Sequence, residues 1–407
     1  MKRLLYTSFA GFPNPNTGGQ NKVIYELLKC IDKNVFEVFY LSKHAMLNKH
    51  NFINNGTKIN IKVSTKSYVT NYLFYKNSIY RKLVTNPVYL NYHFRKTEKY
   101  FAKKVKFFND IDIVHSHDPF SLFFFAQHNC RKLLTVHSKG SLTQDMKDYF
   151  GDSIFLSNFY KRMTEMEKYA FEAADIITFP SNAAKELYLN NLKINDSSKI
   201  QIVYNGVDTE SIKDITIDEE VLKRYDLIQV YDLKILNVAD HIKVKNVNKV
   251  IEVLNILKRT LNRNPILVNI GSGPETDNLK NLAAKYNLSS NIRFLGKIPN
   301  NDVIKLMKWF DCFLILSERV VFDMVILEAL ASKLLVIAND DGGNKEIITN
   351  RTNGFLVNPF DVEEICNIII NNYKNNTIKE NSIDSLNNFT ISKMYKNFEL
   401  LYNEVKK

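Results

Sequence analysis

The chain has 407 residues, enough for two domains of ordinary size, and 45% hydrophobic and 24% charged residues with only 13 Gly and 9 Pro exclude a disordered or fibrous protein. The net charge of +12 sits in one half: residues 1–205 hold 29 Lys and Arg against 16 Asp and Glu, the remainder 26 against 27. No stretch reaches the roughly 18 consecutive apolar residues of a membrane-spanning helix, the longest being broken at Ser317, Glu318 and Glu328.

In chain order, Met1, Lys2 and Arg3 imitate the start of a signal peptide, but the apolar run stops at Thr7 and Ser8. Residues 4–9 therefore read as a first buried strand, and a cytoplasmic protein is expected. A helix over 21–30 and a strand over 36–41 follow. Residues 43–106 hold 14 Lys and Arg and a single acid, Glu98, interleaved with Tyr and Phe. Such a stretch suits anionic partners: either it is the solvated face of an ordinary domain or it faces anionic lipid head groups. No RNA- or DNA-binding motif accompanies it, so nucleic acid is not an expected partner. Strands are predicted over 111–115, 133–137, 176–179 and 200–204. The polar, acidic stretch 208–229 reads as a linker. A second series of strands covers 235–238, 266–270, 292–295, 312–316 and 335–338. Between the first two lies a helix, 246–257, whose Val247, Val250, Ile251, Leu254 and Leu257 follow helical spacing. Residues 391–405 form a terminal helix able to pack on either domain. Cys30, Cys130, Cys312 and Cys366 lie far apart and read as buried thiols, with no metal set. Alternating short strands and helices imply two doubly wound α/β domains with ligands at the carboxyl ends of their strands, in the crevice between them.

Chemistry concentrates at those strand ends. Thr17, Gly18, Gly19 and Gln20 lead from the first strand into a helix, either as a tight turn or as a backbone approach to an anion. Gly271-Ser272-Gly273-Pro274-Glu275 lacks the third glycine of a dinucleotide fingerprint and reads as a close-packed turn. His137, His115 and His117 fall at neighbouring strand ends, as structural groups or as candidates for hydrogen bonding or proton transfer to a substrate. In residues 317–331 a strand passes into a helix: Glu328 can accept both hydroxyls of a ribose, and the N–H groups of 323–325 can receive a diphosphate. Lys245 can supply the positive charge that a departing diphosphate requires.

These pieces, with Asp112-Ile113-Val114-His115-Ser116-His117, Tyr204-Asn205-Gly206-Val207-Asp208, Leu327-Glu328-Ala329-Leu330-Ala331 and Gly342-Gly343-x-x-Glu346, occur in an order that resembles glycosyltransferase family 4, the retaining GT-B glycosyltransferases, over essentially the whole chain. The resemblance implies an acceptor-side Rossmann-like domain at 1–207, a nucleotide-sugar-binding one at 208–385 facing it across a cleft, and a C-terminal helix at 386–407 packing back on the first. It implies a UDP- or GDP-sugar donor, a glycan or lipid-linked acceptor, retention of configuration and no obligatory metal or other cofactor. By position, Gly19 would lie near the diphosphate and His137 near the donor sugar. Lys245 and Val325 would meet the phosphates, Glu328 the ribose and backbone near Ile298 the base. Three departures stand out. Asp240 occupies the place of the family's phosphate-binding Arg, where it would repel a diphosphate unless Lys243 compensates. Val320 occupies the place of the family's first glutamate, leaving Glu318 or Asp323 as stand-ins. Lys333 replaces a helix-ending glycine. The expected function is hexosyl transfer in surface polysaccharide or glycolipid synthesis, peripheral at the inner face of the plasma membrane through 43–106. The rival expectation is a non-catalytic GT-B partner subunit with a degenerate donor site. An epimerase or phosphorylase is disfavoured, since the sequence shows neither a pyridoxal lysine motif nor phosphorylase length.

Overall fold

The structure, a computed structural model, describes residues 1–9, 13, 19–42, 45–47, 86–151, 154–260 and 264–404. It divides into two compact units, Met1–Tyr204 with Met394–Lys407, and Asn205–Lys393.

The first unit is built on strands β1 (Lys2–Ser8), β2 (Phe36–Ser42), β3 (Ala45–Leu47), β4 (Ile113–Ser116), β5 (Arg131–Thr135), β6 (Ile176–Phe179) and β7 (Ile200–Ile202), in the order β3-β2-β1-β4-β5-β6-β7. All pair in parallel except β3, which runs antiparallel to β2. The middles of the central strands are apolar, as strands covered on both faces must be: Leu4, Leu5, Tyr6, Val114 and Leu134 are fully buried. Among the strand ends that differ from expectation, two flank the histidines. β4 starts at Ile113, although Asp112 just before it already bonds both neighbouring strands: its N donates to Arg3 O at 3.0 Å, its O accepts from Arg131 N at 2.9 Å, and its carboxylate accepts from Arg3 N at 2.6 Å. β5 stops at Thr135, so His137 lies two residues beyond the strand and not at its end. The helix Ile391–Asn403 buries Met394, Phe398, Leu401 and Tyr402. Its Tyr402 hydroxyl shares hydrogen bonds of 2.7 Å with Tyr6 of β1 and with His115 Nδ1 of β4. Of the basic stretch 43–106, residues 43, 44 and 48–85 lie outside the described residues. The helix Pro87–Val105 buries Phe94, Thr97, Glu98, Phe101 and Val105 and exposes Tyr92, Arg95, Lys96, Lys99 and Lys103. The buried Glu98 pairs with Arg162 at 2.7 Å.

The second unit carries β8 (Leu233–Val238), β9 (Pro265–Ile270), β10 (Ile292–Gly296), β11 (Cys312–Ile315), β12 (Leu335–Asn339) and β13 (Phe355–Val357), all parallel, in the order β10-β9-β8-β11-β12-β13. The helix Val247–Thr260 packs its apolar stripe into the core shared with Leu267, Leu314 and Ile337. The stretch 208–229 is not a linker. It folds into the helices Thr209–Lys213 and Glu219–Arg224, capped by Asp208 and Asp218, and buries Ile212, Val221, Leu222 and Leu227. Most of its acids are N-caps, Asp208 and Asp218, or first-turn residues, Glu210, Glu219 and Glu220. Of the four free cysteines, Cys130, Cys312 and Cys366 are buried, whereas Cys30 is only partly so. Among the described residues no helix is long and apolar enough to cross a membrane.

Candidate functional site

In an open parallel sheet, ligands bind outside the carboxyl ends of the strands where the strand order reverses. In the second unit that point lies between β8 and β11. The loop after β8 carries Asp240, Lys243 and Lys245, and the loop after β11 carries Glu318, Val320 and Asp323. Asn246, left-handed at φ 48°, ends the turn Lys243–Lys245 and donates from Nδ2 to Leu316 O and to Glu318 Oε2, both at 3.0 Å. Glu318 N returns a bond of 2.8 Å to Val244 O. The two loops are thereby tied together beneath Lys245.

A run of buried asparagines braces the strand ends under these loops. Asn269 Nδ2 donates to Asn237 Oδ1, Asn237 Nδ2 to Leu314 O, Asn339 Nδ2 to Ser317 O and Asn344 Nδ2 to Asn339 O, at 2.7–3.1 Å. Sequence reasoning missed them. Their signal is a single Asn within or closing each otherwise apolar strand run.

Lys245 Nζ stands 3.6 Å from Asp323 Oδ1, with side chains 15% and 18% exposed. The other carboxylate oxygen, Oδ2, is buried and has no hydrogen-bond partner. Asp323 immediately precedes the helix Met324–Ala331 and makes no side-chain cap to it. The first N–H groups of this helix, Met324 and Val325 among them, thus lie beside Lys245's partner. Glu328, on the same helix, is 3% exposed, and its Oε1 is 3.4 Å from Asn300 Nδ2. Asn300 opens the helix that follows Ile298, so Glu328 and the Ile298 turn are brought together. Asp240 forms an ion pair with Lys297 at 2.9 Å. Asp240 is thus neutralised by Lys297, while the exposed Lys243 lines a cavity of about 410 Å³ with Glu275 and Leu279. Val320 is buried, its N donates to Asp341 Oδ2 and its O accepts from Gly343 N, both at 3.3 Å. A Cβ on Gly342 would lie 1.9 Å from Val320 O and one on Gly343 2.3 Å from Val321 O, so only glycine lets these loops meet. Lys333 holds the left-handed φ of 61° that its glycine counterpart would take without strain.

In the first unit the order reverses between β1 and β4. Gly19 follows the loop after β1, at φ 64°, and its carbonyl accepts from Lys22 N and Val23 N, opening the helix Gln20–Cys30. Thr17 and Gly18 lie outside the described residues. His115 is buried, with Nδ1 on Tyr402 and Nε2 on Thr135 Oγ1, both at 2.7 Å, so its role is structural. His117 Nδ1 is 3.0 Å from His137 Nε2, the rings within 9° of parallel. Burial holds all three imidazoles below their ordinary value, His137 down to about 4 and His115 and His117 well down, so all are neutral near pH 7. Gly19 and His137 belong to the first unit; Lys245, Ile298, Val325 and Glu328 belong to the second, gathered around its switch point. Among the described residues no group of three or more His, Cys, Asp or Glu is placed to hold a metal ion.

Two Rossmann-like sheets, each with polar and charged groups at its switch point, define a two-domain α/β protein of the GT-B type. Residues 17–211 match the family described as Glycosyltransferase Family 4, and residues 219–386 that described as Glycosyl transferases group 1. The chain belongs to this family of glycosyltransferases. It is 28% identical to an uncharacterized glycosyltransferase of Methanocaldococcus jannaschii over 294 residues, 70% of this chain and 72% of that one. It is 24% identical to N-acetyl-alpha-D-glucosaminyl L-malate synthase of Bacillus anthracis over 307 residues, 73% and 75% of the two chains. HepE of Anabaena, solved in complex with UDP, superposes with a TM-score of 0.70 over 100% of both chains at 16% identity.

Proposed function

We propose that this glycosyltransferase moves a hexose-type sugar, with retention of configuration, from a UDP- or GDP-sugar to a glycan or lipid-linked acceptor in surface polysaccharide or glycolipid synthesis. The observation that carries the donor half is the gathering of Lys245, the start of the helix Met324–Ala331 and Glu328 at the switch point of the second sheet. Lys245 and the N–H groups at Val325 receive the diphosphate, and together they meet the charge that builds on it as the glycosidic bond breaks. No obligatory metal is needed for that step. Glu328 accepts the ribose hydroxyls, backbone at Ile298 meets the base, and Gly19 and His137 serve the diphosphate and sugar from the first unit. Glu318 or Asp323 supplies the carboxylate that Val320 does not. The UDP and UDP-glucose complexes of HepE support a uridine donor.

A lipid-linked acceptor is supported by the face of the helix Pro87–Val105. It presents Arg95, Lys96, Lys99 and Lys103 with Tyr92, while its one acid is buried. Such a face suits the anionic head groups of an inner leaflet, with the enzyme peripheral on the cytoplasmic side.

The test is saturation-transfer NMR with a panel of UDP- and GDP-sugars on the wild type, Lys245→Ala and Glu328→Ala. Binding of one nucleotide class that both substitutions abolish is the expected result. A specific observation favours the second reading, a non-catalytic partner subunit: Lys245 is already occupied by Asp323. Silence across the panel from folded protein would select that reading.

A further inference from the structure

We infer that His117 is a positioning residue that sets the tautomer of His137, so that His137 presents Nδ1–H as a hydrogen-bond donor and does not act as a base at that nitrogen. The two rings share one proton in one bond, His117 Nδ1 to His137 Nε2 at 3.0 Å. Because both imidazoles are neutral, each carries a single N–H, and only two arrangements satisfy the contact. In one, His117 donates from Nδ1 and His137 accepts at Nε2. In the other, the donor and acceptor are exchanged.

His117 Nε2 decides between them. This atom is buried and has no hydrogen-bond partner. In the first arrangement it is a bare lone pair; in the second it is an N–H with no acceptor. Orphaned buried N–H groups are the rarer and costlier defect, so the first arrangement is favoured. The ring is also held in place: Tyr6 lies over it at 5.8 Å and 20°, His115 sits 4.2 Å away, and its backbone N donates to Thr7 O at 2.9 Å. Once His117 donates, the only proton on the partly exposed His137 is on Nδ1. That nitrogen can then serve an oxygen acceptor, a sugar hydroxyl or a phosphate oxygen, but cannot take a proton. This last step rests on the proposed donor-sugar role of His137; the tautomer itself does not.

The experiment is long-range ¹H–¹⁵N correlation of the full-length protein labelled at its eight histidines, with His137→Gln used to assign that ring. The expected wild-type spectrum has Nδ1 of His137 protonated and Nε2 bare. His117→Phe releases His137 to a mixture of tautomers, and His117→Asn, whose amide stands near the Nδ1 position, restores the single form. A wild-type His137 protonated at Nε2 overturns the inference, whether or not either variant folds. So does a spectrum that His117→Phe leaves unchanged. UDP and UDP-glucose are then titrated into the wild type and His117→Phe. The expected result is that the extra affinity for UDP-glucose over UDP falls about five- to tenfold, the worth of one hydrogen bond, while UDP itself binds as before. A wild type that binds neither ligand fails the donor-site reading instead, and the ring assignment stands apart from it.

Discussion

Lys245 and Asp323 face each other at 3.6 Å with little access to water, so an incoming diphosphate meets a lysine that already has an anion beside it. The internal carboxylate competes with the ligand, and its removal should show as tighter nucleotide binding. Asp323→Asn is expected to lower the UDP dissociation constant about three- to tenfold by calorimetry, the worth of a partly buried pair at roughly 0.6–1.4 kcal/mol. A weaker UDP complex would mean that Asp323 helps to hold the nucleotide. Glu328 works the other way: a carboxylate that accepts hydroxyl hydrogen bonds contributes about 1.5–3 kcal/mol. Glu328→Gln should therefore weaken UDP about 10- to 150-fold while sparing the fold, since its neighbour Asn300 can still bond an amide. Lys245 and Glu328 were legible in the sequence because each sits at a fixed distance from a strand end within one local motif. The bond between His117 and His137 and the bracing of Asn237 by Asn269 were not. Residues 20 or 32 positions apart become neighbours only through the order of strands in a sheet, which no local spacing encodes.

At the scale of elements, apolar runs revealed the long central strands because parallel sheets covered on both faces leave no alternation to confuse them. Of the three-residue strands β3, β7 and β13, only β7 was read, as part of the longer apolar run 200–204; β3 and β13 went unseen because so short a run carries no pattern of its own. The helices of 209–224 were hidden for a different reason, their five and six residues being mostly cap and first turn. The terminal helix was visible, but not what fastens it. Tyr402 bonds Tyr6 and His115 in a buried site, so Tyr402→Phe leaves two polar groups short and should cost about 1–3 kcal/mol, read as an earlier first-unit transition in urea. The basic helix Pro87–Val105 supports a second expectation. Replacing Lys96, Lys99 and Lys103 by Glu should abolish flotation with anionic vesicles, each cation being worth roughly 1 kcal/mol at such a surface. Equal flotation of the wild type with neutral and anionic vesicles would remove the lipid-facing role.

For the whole molecule, the two compact units carry different chemistry and should answer to different perturbations. The first holds four imidazoles, those of His115, His117, His128 and His137, whose folded values lie below the ordinary 6.5, with His137 at about 4. A depressed value means that the unfolded chain binds more protons, so this stabilisation is complete above about pH 6.5 and is lost as pH falls toward 4. Glu167 opposes it: burial raises its carboxyl from 4.5 to about 7, which favours the folded state as pH falls over the same range. Glu98 and Asp118, also raised by burial, act in the same sense as Glu167, so three carboxyls offset part of the effect of four imidazoles and the net effect is destabilisation by acid. The second unit holds Lys245 and Glu328, the groups proposed to bind the nucleotide, and UDP at 100 times its dissociation constant should add about 2.7 kcal/mol to it. Unfolding followed by calorimetry at pH 7.5 and 5, with and without UDP, should therefore resolve two transitions, of which acid lowers one and UDP raises the other. If UDP moved the acid-sensitive transition by as much as the other, the second unit would not be its main holder, and the assignment of Lys245 and Glu328 to that role would fall.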